Sequence, residues 1–405
     1  MDDPIDECRK SLAALIAFCR REAWRGYDPY DGLNSPLARL LPSKLPRTVL
    51  TQLVKRSVLN LRPLLGIKKG VNPKAIALVA RSAALLHGSS MAQPSVDGSS
   101  SVADNIAALA LELPALMKTL LELRSKAHSQ PCWGYNFDWQ SRAFFAPRGT
   151  PNAVCTVFAA HAMFDWYEKC ASDEGLHAGL GGCDFIFEHL RREDGSNNLW
   201  LSYTPLDSTY VHNVNLLCAE LLARGSRLGG DTRLREVANR VTEYTLSRQL
   251  SDGSWPYGEA RDQRWIDSFH TGFILVSLKR LIEYLRRDDW RVALSAGFEF
   301  YRDRFFLADG TPRYYHDSLY PIDVHCAAQA VITFTGMTDL MSNAKVLAGR
   351  EVTWAIRNLQ DPAGYFYFQR HRFLTNKIPF MRWAQAWMIY ALTLYLTESM
   401  ETHDV

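Results

Sequence analysis

With 405 residues, 47% hydrophobic and 22% charged, the chain has apolar content for a large core and far too much for a disordered one. Its 46 Lys and Arg nearly balance 43 Asp and Glu, for a net charge of +3, so bulk charge does not indicate a polyanion-coating protein and no nucleic acid partner is expected. Eight cysteines with no CxxC pair exclude zinc-ribbon spacing and are too sparse for a disulfide scaffold.

No apolar run reaches the roughly 18 to 20 residues of a transmembrane helix, so no membrane span is expected. The acidic start, Met1-Asp2-Asp3-Pro4, lacks the pattern of an export signal. Together with thiols inside apolar stretches (Cys155, Cys218, Cys326), this predicts a cytoplasmic protein. Nothing in the sequence sets its oligomeric state.

In chain order, Gly26-Tyr27-Asp28-Pro29-Tyr30-Asp31-Gly32 precedes a long insertion, after which Asn72-Pro73-Lys74 opens an apolar helix. The basic group Lys68, Lys69 and Lys74 reads as a solvated face. Residues 89–101 (SSMAQPSVDGSSS) read as a mobile Ser-rich loop separating the first unit from the second. Trp133-Gly134-Tyr135 then leads through Gly149-Thr150-Pro151-Asn152 into a helix over 153–167.

From there the pattern becomes regular. Asp194-Gly195, Asp252-Gly253-Ser254-Trp255, Asp309-Gly310 and Asp361-Pro362-Ala363-Gly364 place glycines 58, 57 and 54 residues apart. Each turn is followed by a polar-aromatic segment and a long apolar helix, beginning near Val211, Phe269, Val324 and Arg382. Amphipathic stretches at 232–249 and 291–306 lie between.

Counted from the start, the units number six. Helix pairs repeating every 54 to 58 residues predict an all-α (α/α)6 toroid over residues 1–405, one domain, rather than an open solenoid with its shorter repeats of about 34 to 47 residues. The strongly apolar last helix, 383–396, needs a partner that closure onto the first unit supplies.

In such a ring the inner helices begin at one rim, and their first residues converge. His212, His270 and His325 stand at equivalent positions, with Asp267 and Asp323 just before two of them. A histidine at a helix N-terminus stays neutral and can accept a proton, which nominates His270 and His325 as bases. Tyr257, Tyr314 and Tyr315 are acid candidates. Trp133, Tyr203, Arg264, Arg382 and Trp383, with His212, are expected to bind substrate, since flat aromatic faces suit sugar rings and Arg suits a carboxylate. The same His and Asp set offers metal ligands, but they come from three separate units with no HExxH, so no metal or other cofactor is expected.

The segment Gln249-Leu250-Ser251-Asp252-Gly253-Ser254-Trp255 resembles the Gln/Trp repeat of terpene cyclase and prenyltransferase toroids, an architectural motif. The cyclases' DxDD proton donor is absent. The wider pattern resembles carbohydrate-active toroids: glycoside hydrolases, the helical domains of heparinase-type lyases, and glucuronyl C5-epimerases. The stretch Tyr314-Tyr315-His316 to Asp323-Val324-His325 is similar to the Tyr/His-rich catalytic segment of the last two groups. That resemblance implies a carbohydrate substrate bearing uronic acid and proton abstraction beside its carboxylate, by lyase or epimerase chemistry. Arg382 is the expected carboxylate clamp by position. An inverting glycoside hydrolase using Asp267, Asp323 or Glu259, and a non-catalytic glycan-binding toroid, are the alternatives.

Overall fold

The computed structural model describes residues 4–41, 43–92, 101–141, 144–341 and 343–401. Helix α1 (Pro4–Arg21) leads into an insertion carrying α2 (Lys44–Arg56), and then α3 (Pro73–Leu86). Helices α4 (Ser101–Leu111) and α5 (Leu113–Glu122) precede α6 (Ala153–Cys170). Strict alternation follows through α7 (Asp173–Phe185), α8 (His212–Gly229), α9 (Thr232–Leu246) and α10 (Ser268–Leu285). It continues through α11 (Arg291–Phe305), α12 (Val324–Thr335), α13 (Ala344–Leu359) and α14 (Ala386–Glu401). Of the expected Ser-rich loop, Ser90–Ala92 form a 3-10 turn and Ser101 starts α4, while residues 93–100 lie outside the described residues.

Helices α3, α6, α8, α10, α12 and α14 pack each against the next, and α14 returns to α3. The ring is therefore closed, as the repeat predicts. Inner helices are the more deeply buried, and in α12 all twelve residues are buried. Outer helices bury one stripe, as in α9, where Leu234, Val237, Ala238, Val241 and Thr245 follow three-to-four spacing.

The turns that join outer to inner helices explain the glycine period. Gly253, Gly310 and Gly364 have φ of +87°, +90° and +98°, a region that favours glycine. Gln249 Nε2 donates to the carbonyls of Gly253 and of Ala293 on α11, both at 2.9 Å. Gln360 repeats the device, donating to Gly364 at 3.0 Å and to Ser11 on α1 at 3.2 Å. The N-terminal helix thus occupies the place of an outer helix after the last turn, and the same staple seals the ring. Gly195 departs from this pattern. It lies in the hairpin between β3 (Arg191–Glu193) and β4 (Leu199–Leu201), where Asn197 takes the left-handed conformation.

The short strands are hairpins in loops at the inner-helix starts. β1 (Trp139–Gln140) pairs with β2 (Phe145–Ala146), and β5 (Ile322–Asp323), β6 (Gln369–Arg370) and β7 (Thr375–Asn376) form an antiparallel ribbon. Ahead of α14, residues Met381–Gln385 form a π-helical turn, so the last inner helix begins later than the sequence suggests.

Candidate active site

Asx N-caps fix the first turns of four inner helices. Asn72 accepts from Lys74 N at 3.0 Å, Asn152 from Cys155 N at 2.9 Å, Asp267 from His270 N at 3.0 Å and Asp323 from His325 N at 2.8 Å. The residues two or three places on include Lys74, His270 and His325, and these three share one cavity of about 310 Å³. Its walls are aromatic, including Tyr30, Trp139, Tyr257, Trp265, Phe269 and Trp383.

At this cavity His270 Nδ1 lies 2.7 Å from Asp267 Oδ2, which also accepts from Trp265 Nε1 at 3.0 Å. The buried carboxylate therefore fixes the ring's tautomer with the proton on Nδ1, leaving Nε2 as the basic nitrogen. Tyr257 stacks on Trp265 with centroids 4.5 Å apart and lies 4.7 Å from the His270 ring. Burial raises the Tyr257 and Tyr314 hydroxyls well above the ordinary tyrosine range, so both remain protonated donors.

His325 is held by rings, with Phe269 stacked at 4.6 Å, Trp387 at 4.7 Å and Trp383 edge-on at 4.9 Å. Both of its nitrogens, and Asn213 Oδ1, are buried without a hydrogen-bond partner, and both residues line the cavity. Burial, followed by the charges of Lys74, His270 and Arg382, pushes the His325 pKa well down, so the ring is neutral.

Lys74, read above as solvated, is buried. Its ammonium sits 4.6 Å from the Phe158 centroid, 4.8 Å from Trp387 and 5.6 Å from Phe273. Burial and then the Arg382 charge push its pKa down to about 7. Arg382 also lines the cavity, but Asp28 holds it through Nε at 2.5 Å and Nη2 at 2.7 Å. The expected clamp is thus already paired with a carboxylate of the protein.

Of the residues nominated from sequence, Tyr203, Tyr257, His270, Tyr314, Tyr315, His325, Arg382 and Trp383 line the cavity. Asp267 and Asp323 sit behind it as buried caps. Asp323 accepts from Trp383 Nε1 at 3.0 Å and Gln369 Nε2 at 2.6 Å, and burial lifts its pKa to about 6.

Trp133, His212 and Arg264 do not line the cavity. Trp133 is a core staple whose indole N–H donates to Leu120 O at 2.7 Å, as that of Trp255 does to Thr245 O at 3.0 Å. His212 Nε2 is 2.9 Å from Glu259, which Arg264 meets from outside at 3.3 Å. The sequence reading missed Lys74, Asn213, Lys55 and Tyr135; for Lys74 the signal present was the Asn-x-Lys spacing from its cap. No group of three potential metal ligands occurs among the described residues.

No family model and no curated protein matches the sequence, whereas many solved structures match the fold. A heparin-specific unsaturated glucuronyl hydrolase matches 100% of this chain and 99% of its own, with a TM-score of 0.64 and 11% identity. Cellobiose 2-epimerase from Bacillus thermoamylovorans B4167 matches 81% of this chain and 88% of its own, at TM-score 0.62 and 10% identity. A GH76 α-mannanase from Bacteroides thetaiotaomicron matches 82% and 87%, at 0.57 and 11%. The fold is the (α/α)6 toroid of these carbohydrate-active enzymes. Among the described residues no helix is long and apolar enough to cross a membrane.

Proposed function

We propose that the chain is a carbohydrate-active enzyme that abstracts a proton beside the carboxylate of a uronic acid, giving epimerisation or β-elimination. One observation carries this reading: the Asp267–His270 pair presents a basic nitrogen at a cavity whose described lining residues include Lys55, Lys74 and Arg382 but no carboxylate. His270 Nε2 takes the C5 proton, and the electron pair left behind delocalises into the substrate carboxylate. Lys74 and Arg382 offset that charge in a water-poor site. Reprotonation at C5 by a neutral phenol, Tyr257 or Tyr314, returns the other epimer; alternatively the electron pair forms the C4–C5 double bond as the C4–O bond breaks, and the phenol gives its proton to the departing oxygen. Trp265, Trp383 and Tyr203 hold the sugar ring. Among the structural neighbours, one is named as an epimerase and another for glucuronyl groups, which supports both halves of the proposal. A cytoplasmic location belongs to the same reading, supported by seven buried free thiols.

Hydrolysis is the second reading, favoured by neighbours named as hydrolases. An inverting hydrolase needs two carboxyls about 6.5 to 9.5 Å apart across the sugar. Asp267 and Asp323 are buried behind the cavity wall, and Glu259 is bound to His212 and Arg264.

Incubation with uronate polymers separates the readings. Absorbance from a 4,5-unsaturated product marks a lyase and solvent deuterium at C5 an epimerase. New reducing ends without unsaturation mark a hydrolase, and binding without change marks a module, either of which ends the proposal. Asp267→Asn retains an N-cap acceptor but no longer fixes the His270 tautomer. It is expected to lower turnover by about 100-fold or more with little change in melting, as His270→Ala does more strongly.

A further inference from the structure

We infer that the insertion between α1 and α3 docks this protein onto the surface of an anionic lipid bilayer, with the cavity mouth beside that surface. Helix α2 has inverted polarity. Its buried positions are Thr51 and Val54, while Leu45, Val49 and Leu53, at i, i+4 and i+8, form an outward apolar stripe. Leu37 and Leu40 before it, and Leu59 and Leu64 after it, also stand in solvent, Leu64 being 85% exposed. The hairpin joining β6 to β7 adds Phe373 (84% exposed) and Leu374, and Asn376 ties it to the insertion by donating to Ser57 O at 3.0 Å. These two segments hold nine of the fifteen exposed large hydrophobic residues among those described. A concentration of this kind marks an interaction surface.

Charge selects the partner. Residues 32–74 contain nine Lys and Arg and no Asp or Glu, whereas the rest of the chain has 37 basic against 43 acidic residues. Arg62 and Lys74 are buried and Lys69 meets Glu22, but Arg39, Lys44, Arg56 and Lys68 are exposed between the leucines. Leucines that protrude singly among cations suit insertion between lipid headgroups, with the cations at phosphates. A second copy of the chain would bring like charges together on this face.

The surface adjoins the mouth, because Lys55 on α2 lines the cavity and donates to Tyr30 OH at 2.7 Å. A docked molecule opens along the bilayer, which suits a glycan held there.

Flotation of the full chain with phosphatidylcholine vesicles containing about a third phosphatidylglycerol tests it. The protein is expected to float with these and not with phosphatidylcholine alone, and to release as salt rises. Leu45→Asp with Leu53→Asp is expected to weaken binding about tenfold or more, and Arg39→Glu with Arg56→Glu to remove the preference for anionic lipid. Both variants should melt like the parent, since all four residues are exposed. Absence of flotation with anionic vesicles overturns the inference, as does flotation that survives both variants. So does a solution dimer that the leucine variant dissociates while vesicles bind nothing.

Discussion

Lys74 is the residue at which function and stability pull apart. Its side chain is buried at the cavity wall among the Phe158, Phe273 and Trp387 rings and near the positively charged Arg382, whose own counter-ion is Asp28. The pKa falls from 10.5 in the free side chain to about 7 in the fold. Between those values the unfolded chain binds a proton that the folded one does not, so stability rises with pH across the window. Below pH 7 both states are protonated and the full destabilisation applies. Lys74→Met is therefore expected to raise stability at pH 6 by on the order of 2 kcal/mol, with the gain shrinking towards pH 10, while activity is lost. Urea unfolding at pH 6, 8 and 10 measures this; a variant less stable than the parent at pH 6 would show that the aromatic cage stabilises the charge. Nothing in the basic run Lys68, Lys69, Lys74 distinguishes the third lysine by composition. What sets it apart is its place in the first turn of a buried inner helix, where Asn72 caps its backbone N–H.

At the scale of elements, the turns were legible because they impose backbone demands, and the site less so because capping and catalysis use the same residues. Positive φ at Gly253, Gly310 and Gly364 leaves a mark that survives in sequence. Asp267 and Asp323 read from sequence as candidate catalytic carboxylates, and the structure shows them instead as buried helix caps behind the cavity wall. Likewise Trp133, read as substrate-binding, makes the same kind of indole bond as Trp255, whose motif already read as architectural. The turn after α13 can be tested directly. Gln360→Ala removes donors to Ser11 and Gly364 carbonyls, an expected loss of about 1–3 kcal/mol. Gly364→Ala should be worse, because a Cβ there would meet Ala14 O at 2.5 Å on backbone with φ of +98°. Hydrogen exchange should show faster opening of α1 in both variants; protection equal to the parent's would mean the staple contributes nothing to closure.

For the whole molecule the decisive contact joins the two ends of the chain. Helix α1 packs on α14, α13 and α4 and buries Cys8, Leu12, Leu15, Ile16 and Cys19. Cys8 Sγ lies 3.8 Å from Leu392 O, and Glu7 accepts both arms of Arg357 at 2.9 and 3.0 Å. At about 1.5–3 kcal/mol for each large buried side chain, removing α1 forfeits an amount comparable with the roughly 5–15 kcal/mol net stability of an entire domain. An open array would behave differently, because each repeat there leans on its neighbours alone and losing one end shortens the stack without unfolding it. Deletion of residues 1–21 is therefore expected to abolish the cooperative urea transition throughout the chain. A synthetic peptide of those residues, added in excess, should restore part of it by occupying the vacated groove. A truncated chain that unfolds with the parent's midpoint and slope would mean that the remaining helices hold their arrangement without the seam, and the shared mouth formed by distant segments would then need another physical basis.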